Sequence, residues 1–330
     1  MREDEIRPSD LFRRYLELSR EDVIKHFQDI DRIKTNCVAC GSNEIRSEFK
    51  KHGFEYGQCK VCGTLFLTPR PPLEAFEAFY ENSISSNFWA EVFFPAVMEV
   101  RKEKIFQPRV DSLVNYCIKK GVNVRRLIDV GAGFGIFLDE WRKRYPNTEV
   151  IAVEPSISLA NNCRAKNIDV VQSIVEYVDD LYEGFADLVV CFEVLEHVHD
   201  PVNFIKKLKR LAKPGGLVFV STLCCDGFDI RTLWSDSDQI CPPHHINFFS
   251  IRGFEHLFKQ AGLTNIDITT PGKLDVDIVR NFAKRNPKIF ETQPFLHCLI
   301  KENQISEAFQ VFLEKNRLSS HAWVFGSTPI

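Results

Sequence analysis

The chain has 330 residues, 44% of them apolar, with a net charge of -3. That length suggests two domains, or one with additions, and the apolar share can fill a sizeable core. A charge so near balance gives no general field for nucleic acid, and no apolar run reaches the length of a membrane span.

The first ten residues are charged and lack the apolar stretch of a signal peptide. The eleven cysteines are therefore expected as reduced thiols in a cytoplasmic protein. Residues 1–36 predict N-terminal helices. Ser9 or Asp10 would cap the first, with Leu11, Phe12, Tyr15 and Leu16 at helical spacing, and a second would run from Arg20 to Ile33.

Residues 37–68 are punctuated by Cys37-x-x-Cys40-Gly41 and Cys59-x-x-Cys62-Gly63, with 18 residues between the pairs. This is zinc-knuckle spacing. Four thiolates close a tetrahedral site, so the expected zinc is structural and holds a segment too short for a core of its own. A redox pair would need a thioredoxin-like strand–helix–strand unit, which the pattern lacks. A nucleic-acid ribbon is disfavoured by the net charge and by Glu74, Glu77 and Glu81. The remaining seven cysteines read as small core residues.

Pro69, Pro71 and Pro72 mark a boundary, and residues 69–121 read as a helical connector rich in aromatics. Phe88, Trp89 and Arg101 are candidates for a lid over a ligand, against plain packing for each. Gly121 closes the segment as a helix cap.

From 122 to 330 apolar runs alternate with helical stretches. The predicted strands are Leu127–Val130, Val150–Val153, Val170–Val171, Leu188–Phe192 and Leu217–Ser221, with a late strand at Ala322–Phe325. The predicted helices cover 136–144, 156–166, 201–212, 251–261 and 303–316. Continuous apolar strands between helices imply a parallel sheet covered on both faces. A stretch near 222–250, rich in Asp and aromatics, reads as an acceptor-binding insertion.

Leu127-Ile-Asp129-Val-Gly131-Ala132-Gly133-Phe-Gly135 runs a buried strand into a glycine turn and a helix. The spacing is G-x-G-x-G rather than the G-x-G-x-x-G of dinucleotide sites. Asp129 at the strand end would repel a diphosphate and attract a ligand bearing an ammonium and a sulfonium. Glu154, at the end of the next strand, suits ribose hydroxyls and fits any nucleoside.

These residues resemble the class I S-adenosylmethionine (SAM)-dependent methyltransferases over about 125–268. Ala186–Cys191 followed by Glu193-Val-Leu-Glu196-His197, and Leu211–Gly216, complete the likeness. The resemblance implies an α/β, Rossmann-like seven-stranded sheet with Ala322–Phe325 as its reversed strand. It implies cofactor contacts from Asp129, Gly131, Ala132, Gly133, Gly135, Glu154 and Glu193. The usual adenine-binding acid is replaced here by Gln172 or Ser173.

Glu196, His197 and His245 are the candidate catalytic residues, with His197 as base and Glu196 orienting it or binding an acceptor hydroxyl. A second reading gives Glu193, Glu196 and His197 to a divalent ion, with His245 completing the set, and a third makes them a helix cap. A zinc ribbon before such a domain resembles methyltransferases of nucleotide-linked sugars in glycan synthesis. The expectation is methyl transfer to a hydroxyl or carbon of a small polar acceptor, a sugar. The alternatives are metal-assisted O-methylation of a phenol or quinone precursor, and a non-catalytic ribbon adaptor or RNA-binding protein.

Overall fold

The computed structural model describes residues 1–330. Its strands are β1 (Ile45–Lys51), β2 (Phe54–Cys59), β3 (Leu65–Leu67), β4 (Arg126–Val130), β5 (Glu149–Val153) and β6 (Asp169–Val171). They continue with β7 (Ala186–Phe192), β8 (Ala212–Leu223), β9 (Asn247–Phe248), β10 (Thr264–Thr269) and β11 (His321–Ser327). Seven form one sheet in the order β10-β11-β8-β7-β4-β5-β6. Pairs from β8 through β6 are parallel. The five predicted strands fall on β4 to β8; in β4, β5, β7 and β8 the buried Val, Ile and Leu runs are what a covered parallel sheet requires, while the edge strand β6 is only partly buried. β4 is buried from Leu127 to Val130 and lies where strand order reverses. Open α/β sheets bind ligands at that point, beyond the carboxyl ends of the strands.

The chain groups into two compact units: 1–97, 223–253 and 268–323, and then 98–222, 254–267 and 324–330. This departs from a linear division at 36, 68 and 121. In the first unit, β1, β2, β3 and β9 form a four-stranded sheet. Phe54, Tyr56, Leu65 and Leu67 from the cysteine module bury with Phe27, Phe76, Phe79, Ile230, Ile246 and Phe248. Each such side chain contributes about 1.5–3 kcal/mol on burial, so the module shares a core rather than relying on metal alone. Residues 223–253 belong here because β9 pairs with β3.

After a short helix at Glu3–Ile6, one long helix, Ser9–Phe27, replaces the expected pair, and its cap is Pro8 without a side-chain bond. Phe27 is buried while Ile30 and Ile33 are exposed, so nothing packs a further turn. The chain instead turns extended, and Ile33 bridges to Arg70. Trp89 stacks on Phe93 with centroids 4.2 Å apart and sits 5.1 Å from Tyr15, a packing role. Of the seven cysteines outside the module six are buried, whereas Cys298 is exposed. No helix is long and apolar enough to cross a membrane.

Candidate active site

The second unit carries the glycine loop. After β4 the loop leads into the helix Ile136–Arg144. Gly131 has φ +76°, and a Cβ there would lie 2.6 Å from Val194 Cγ2. Gly133 has φ +55° with open space where a Cβ would project. The first glycine is required by its neighbour; the second leaves a face on which a ligand can approach the backbone. Glu154 is fixed beneath that face. Its Oε2 accepts from the Gly133 amide at 2.8 Å, and its Oε1 from the Ser156 amide at 2.9 Å. Each oxygen keeps a lone pair for a ribose hydroxyl.

Asp129 is buried, and its Oδ1 has no hydrogen-bond partner. Burial, then repulsion from Glu154, push its carboxyl up to about 8, opposed by Arg109. A buried acceptor without a donor is costly, and here a ligand ammonium would supply the donor. The residues present therefore fit the SAM expectation at Asp129, Gly131, Ala132, Gly133, Gly135 and Glu154.

Glu193 departs from a plain strand exit. It has φ +54°, a conformation that side-chain-bearing residues rarely adopt. Its Oε1 accepts from Arg109 Nη2 at 3.0 Å and from the Ser221 hydroxyl at 2.6 Å. The protein thus supplies Glu193 with a cation of its own. Arg109 also lies over the Phe192 ring, 5.1 Å from its centroid. Glu196 is buried, and its Oε2 accepts from the Thr222 hydroxyl at 2.7 Å. Burial and the Glu193 charge push Glu196 up to about 8. His197 follows on the same short turn, Leu195–His197. Burial pushes the Asp129 and Glu196 carboxyls upward even with Arg109 opposing it, and buried acids of this kind mark a place that favours a further cation.

Arg109, Ser221 and Thr222 were absent from the sequence-based set. A signal for Arg109 existed: it falls on the stripe Arg109, Val110, Leu113, Val114, Cys117, all buried. A lone charge on an apolar face calls for a buried partner. Arg101, the lid candidate, ends the helix Phe94–Arg101 and is only half-buried. The Ser173 hydroxyl donates to the Ile174 carbonyl at 2.9 Å, and Gln172 accepts from Arg164.

In the first unit, the Sγ atoms of Cys37, Cys40, Cys59 and Cys62 all lie within 4.8 Å of one another. Cys37 and Cys62 are 3.5 Å apart, as are Cys40 and Cys59. Thiolates around zinc at about 2.3 Å stand about 3.8 Å apart, so the set fits a tetrahedral ion. His245, the third catalytic candidate, belongs to this unit. Its Nδ1 lies 2.6 Å from the Gln239 carbonyl. A carbonyl only accepts, so Nδ1 carries the proton and in the neutral ring Nε2 carries the lone pair. His244 faces elsewhere, with Nε2 2.8 Å from Ser85 Oγ.

Residues 102–268, half of the chain, match the family described as a methyltransferase domain. The chain belongs to this family. Similar curated proteins are ubiquinone biosynthesis O-methyltransferases. The one from Methylococcus capsulatus is 37% identical over 105 residues, 30% of this chain and 44% of that protein. The one from Erwinia tasmaniensis is 36% identical over 122 residues, 35% of this chain and 48% of that protein. The chain spans about half the length of the curated relatives it matches. Among solved structures, a SAM-dependent methyltransferase from Archaeoglobus fulgidus is similar at TM-score 0.46 and 16% identity. The match covers 71% of this chain and 100% of that one. So distant a likeness adds nothing to the reading of this methyltransferase domain.

Proposed function

We propose that this chain is a SAM-dependent O-methyltransferase acting on a hydroxyl of a small phenol or quinone precursor. The observation that carries cofactor binding is the buried Asp129 oxygen without a partner, at the mouth of the glycine loop. The names of the curated relatives support oxygen as the atom methylated and an aromatic hydroxyl as its class. The curated relatives named above fit this acceptor class better than the sugar expected from the cysteine module.

When bound, SAM supplies a methyl group on a sulfonium, open to in-line attack. Asp129 would accept from the ligand ammonium and Glu154 from the ribose hydroxyls, while the Gly131–Gly135 backbone permits close approach. His197 would take the acceptor proton, with Glu196, held by Thr222, binding the acceptor hydroxyl. Arg109 fixes Glu193 and so shapes the cofactor wall. Their contribution is proximity, orientation and the placement of one proton. His245 is assigned to acceptor handling from the insertion, and the four cysteines to structural zinc.

Calorimetry with S-adenosylhomocysteine (SAH) tests the first half. Micromolar or tighter uptake, with indifference to NAD, is expected; the reverse would overturn the reading. Labelled SAM offered with catechols, hydroxyquinones and nucleotide sugars tests the second. Label in a sugar alone would restore the carbohydrate reading, and label in none would favour an adaptor.

A further inference from the structure

The cysteine module does more than close on itself. The two strands that grip residues 245–250 both leave its second knuckle: β2 ends on Cys59, and β3 opens three residues after Cys62. From β2, the Tyr56 hydroxyl donates to the His245 carbonyl at 2.7 Å. From β3, the Leu67 amide donates to the Ile246 carbonyl at 2.9 Å. Leu65 and Phe66 pair with Phe248 and Asn247. Just beyond β3, Arg70 Nη2 donates to Asn247 Oδ1 at 2.8 Å. The Ser250 hydroxyl donates to the carbonyl of Cys62 itself. Tyr56, Arg70, Asn247 and Ser250 are all buried, so water cannot take over these bonds. A two-residue strand such as β9 has no stability of its own. Its place is set by β3, and the turn between β2 and β3 is the Cys59–Cys62 knuckle.

We propose that the Cys37/Cys40/Cys59/Cys62 site is a metal-dependent positioning device for His245. With a tetrahedral ion in place the knuckle is rigid, β2 and β3 keep their register, and the His245 backbone is fixed from both strands. Without it the knuckle opens, and the segment from His245 to Ser250 loses the partners that hold it. Cys37, Cys40, Cys59 and Cys62 then act on methyl transfer through Tyr56, Leu67 and His245, without touching substrate. The turnover arm of the test rests on the proposed methyl transfer; the exchange arm does not.

The experiment uses the full chain with its zinc measured, the same protein stripped by chelator under reducing conditions, and Tyr56→Phe, which should keep its metal. Hydrogen–deuterium exchange is read on peptides covering 245–250, with SAH affinity and turnover alongside. Stripping should raise exchange there roughly tenfold or more and lower turnover about tenfold or more, while SAH affinity moves less than about twofold. Tyr56→Phe should move exchange and turnover the same way by a smaller factor, zinc content unchanged. Stripped protein that keeps slow exchange at 245–250 would overturn the proposal. So would loss of SAH binding in step with loss of zinc, which would make the metal a support of the whole fold. If native protein methylates no acceptor, the methyl-transfer reading falls while exchange still decides this one.

Discussion

Replacing Asp129 with Asn separates what the buried carboxylate costs from what it does. The side chain keeps its shape and loses its charge. The Asp129 carboxyl stands at about 8 against an ordinary 3.8. At 1.36 kcal/mol per pH unit, holding it ionised in the folded chain costs about 6 kcal/mol. The sign follows from linkage. The folded state holds this proton more tightly than the unfolded state, so the stabilisation is complete below about pH 4 and is lost as pH rises towards 8. The Asp129→Asn substitution removes that decline. After about 1–3 kcal/mol for a buried amide short of partners, the variant should be about 3 kcal/mol more stable than the native protein at pH 8.5. Ligand binding should move the other way. Loss of a charged hydrogen bond is worth about 1.5–3 kcal/mol, or roughly ten- to 150-fold in SAH affinity. In the native protein, SAH affinity should also rise about tenfold per pH unit up to about 8, because the ligand ammonium needs the ionised carboxylate. Thermal melts at pH 5.5 and 8.5 with calorimetry at each pH read all three effects. A variant that binds SAH like the native protein, or melts earlier at pH 8.5, would refute the reasoning.

Three further substitutions probe the surrounding residues. His197→Ala should lower turnover about 100-fold or more and leave SAH affinity nearly unchanged; parallel losses in both would make His197 structural. Arg109→Met takes from Glu193, a third exposed, the guanidinium bonded to its Oε1. Allowing for that exposure, the loss is about 1–3 kcal/mol of stability with weaker SAH binding, and a melt and titration identical to native would reject the pairing. Asp22→Asn tests the first unit. Asp22 accepts from the hydroxyls of Ser83 and Ser85 and the amides of Ile84 and Ser85. An amide nitrogen among those donors should cost about 2–4 kcal/mol in urea unfolding; an unshifted midpoint would show the network to be idle.

The parts of the fold legible in the sequence are those whose cause is local. The helix at Ile136–Arg144 and the buried run of β4 announce themselves by period and apolarity. The cysteine spacing does the same for the knuckles. β9 could not be read, because Asn247 and Phe248 are a strand only through their pairing with β3. β10 was missed because Thr264–Thr269 shows only a weak, partly exposed apolar pattern. Helices at Asp275–Arg285 and Pro294–Lys301 pack on Leu313 and Leu233, residues distant in sequence.

The same distinction governs the candidate site. Asp129, the glycines and Glu154 lie at the ends of adjacent strands, so a motif of nine residues and one acid after the next strand located them. Arg101 and Arg109 look alike in sequence, two arginines on one aromatic-rich connector. What separates them is burial: Arg109 is buried and Arg101 only half so. The acid that answers Arg109 is Glu193, 84 residues away, whose left-handed backbone turns its carboxylate to the guanidinium. That backbone conformation costs about 1–3 kcal/mol, and Glu193 holds it while bonded to Arg109 and Ser221. An acid placed by strain and answered by a cation from another helix is fixed before any ligand arrives. Preorganisation of that kind favours binding energy over rearrangement, and it leaves Asp129, with its unmatched oxygen, as the group that a cationic ligand completes.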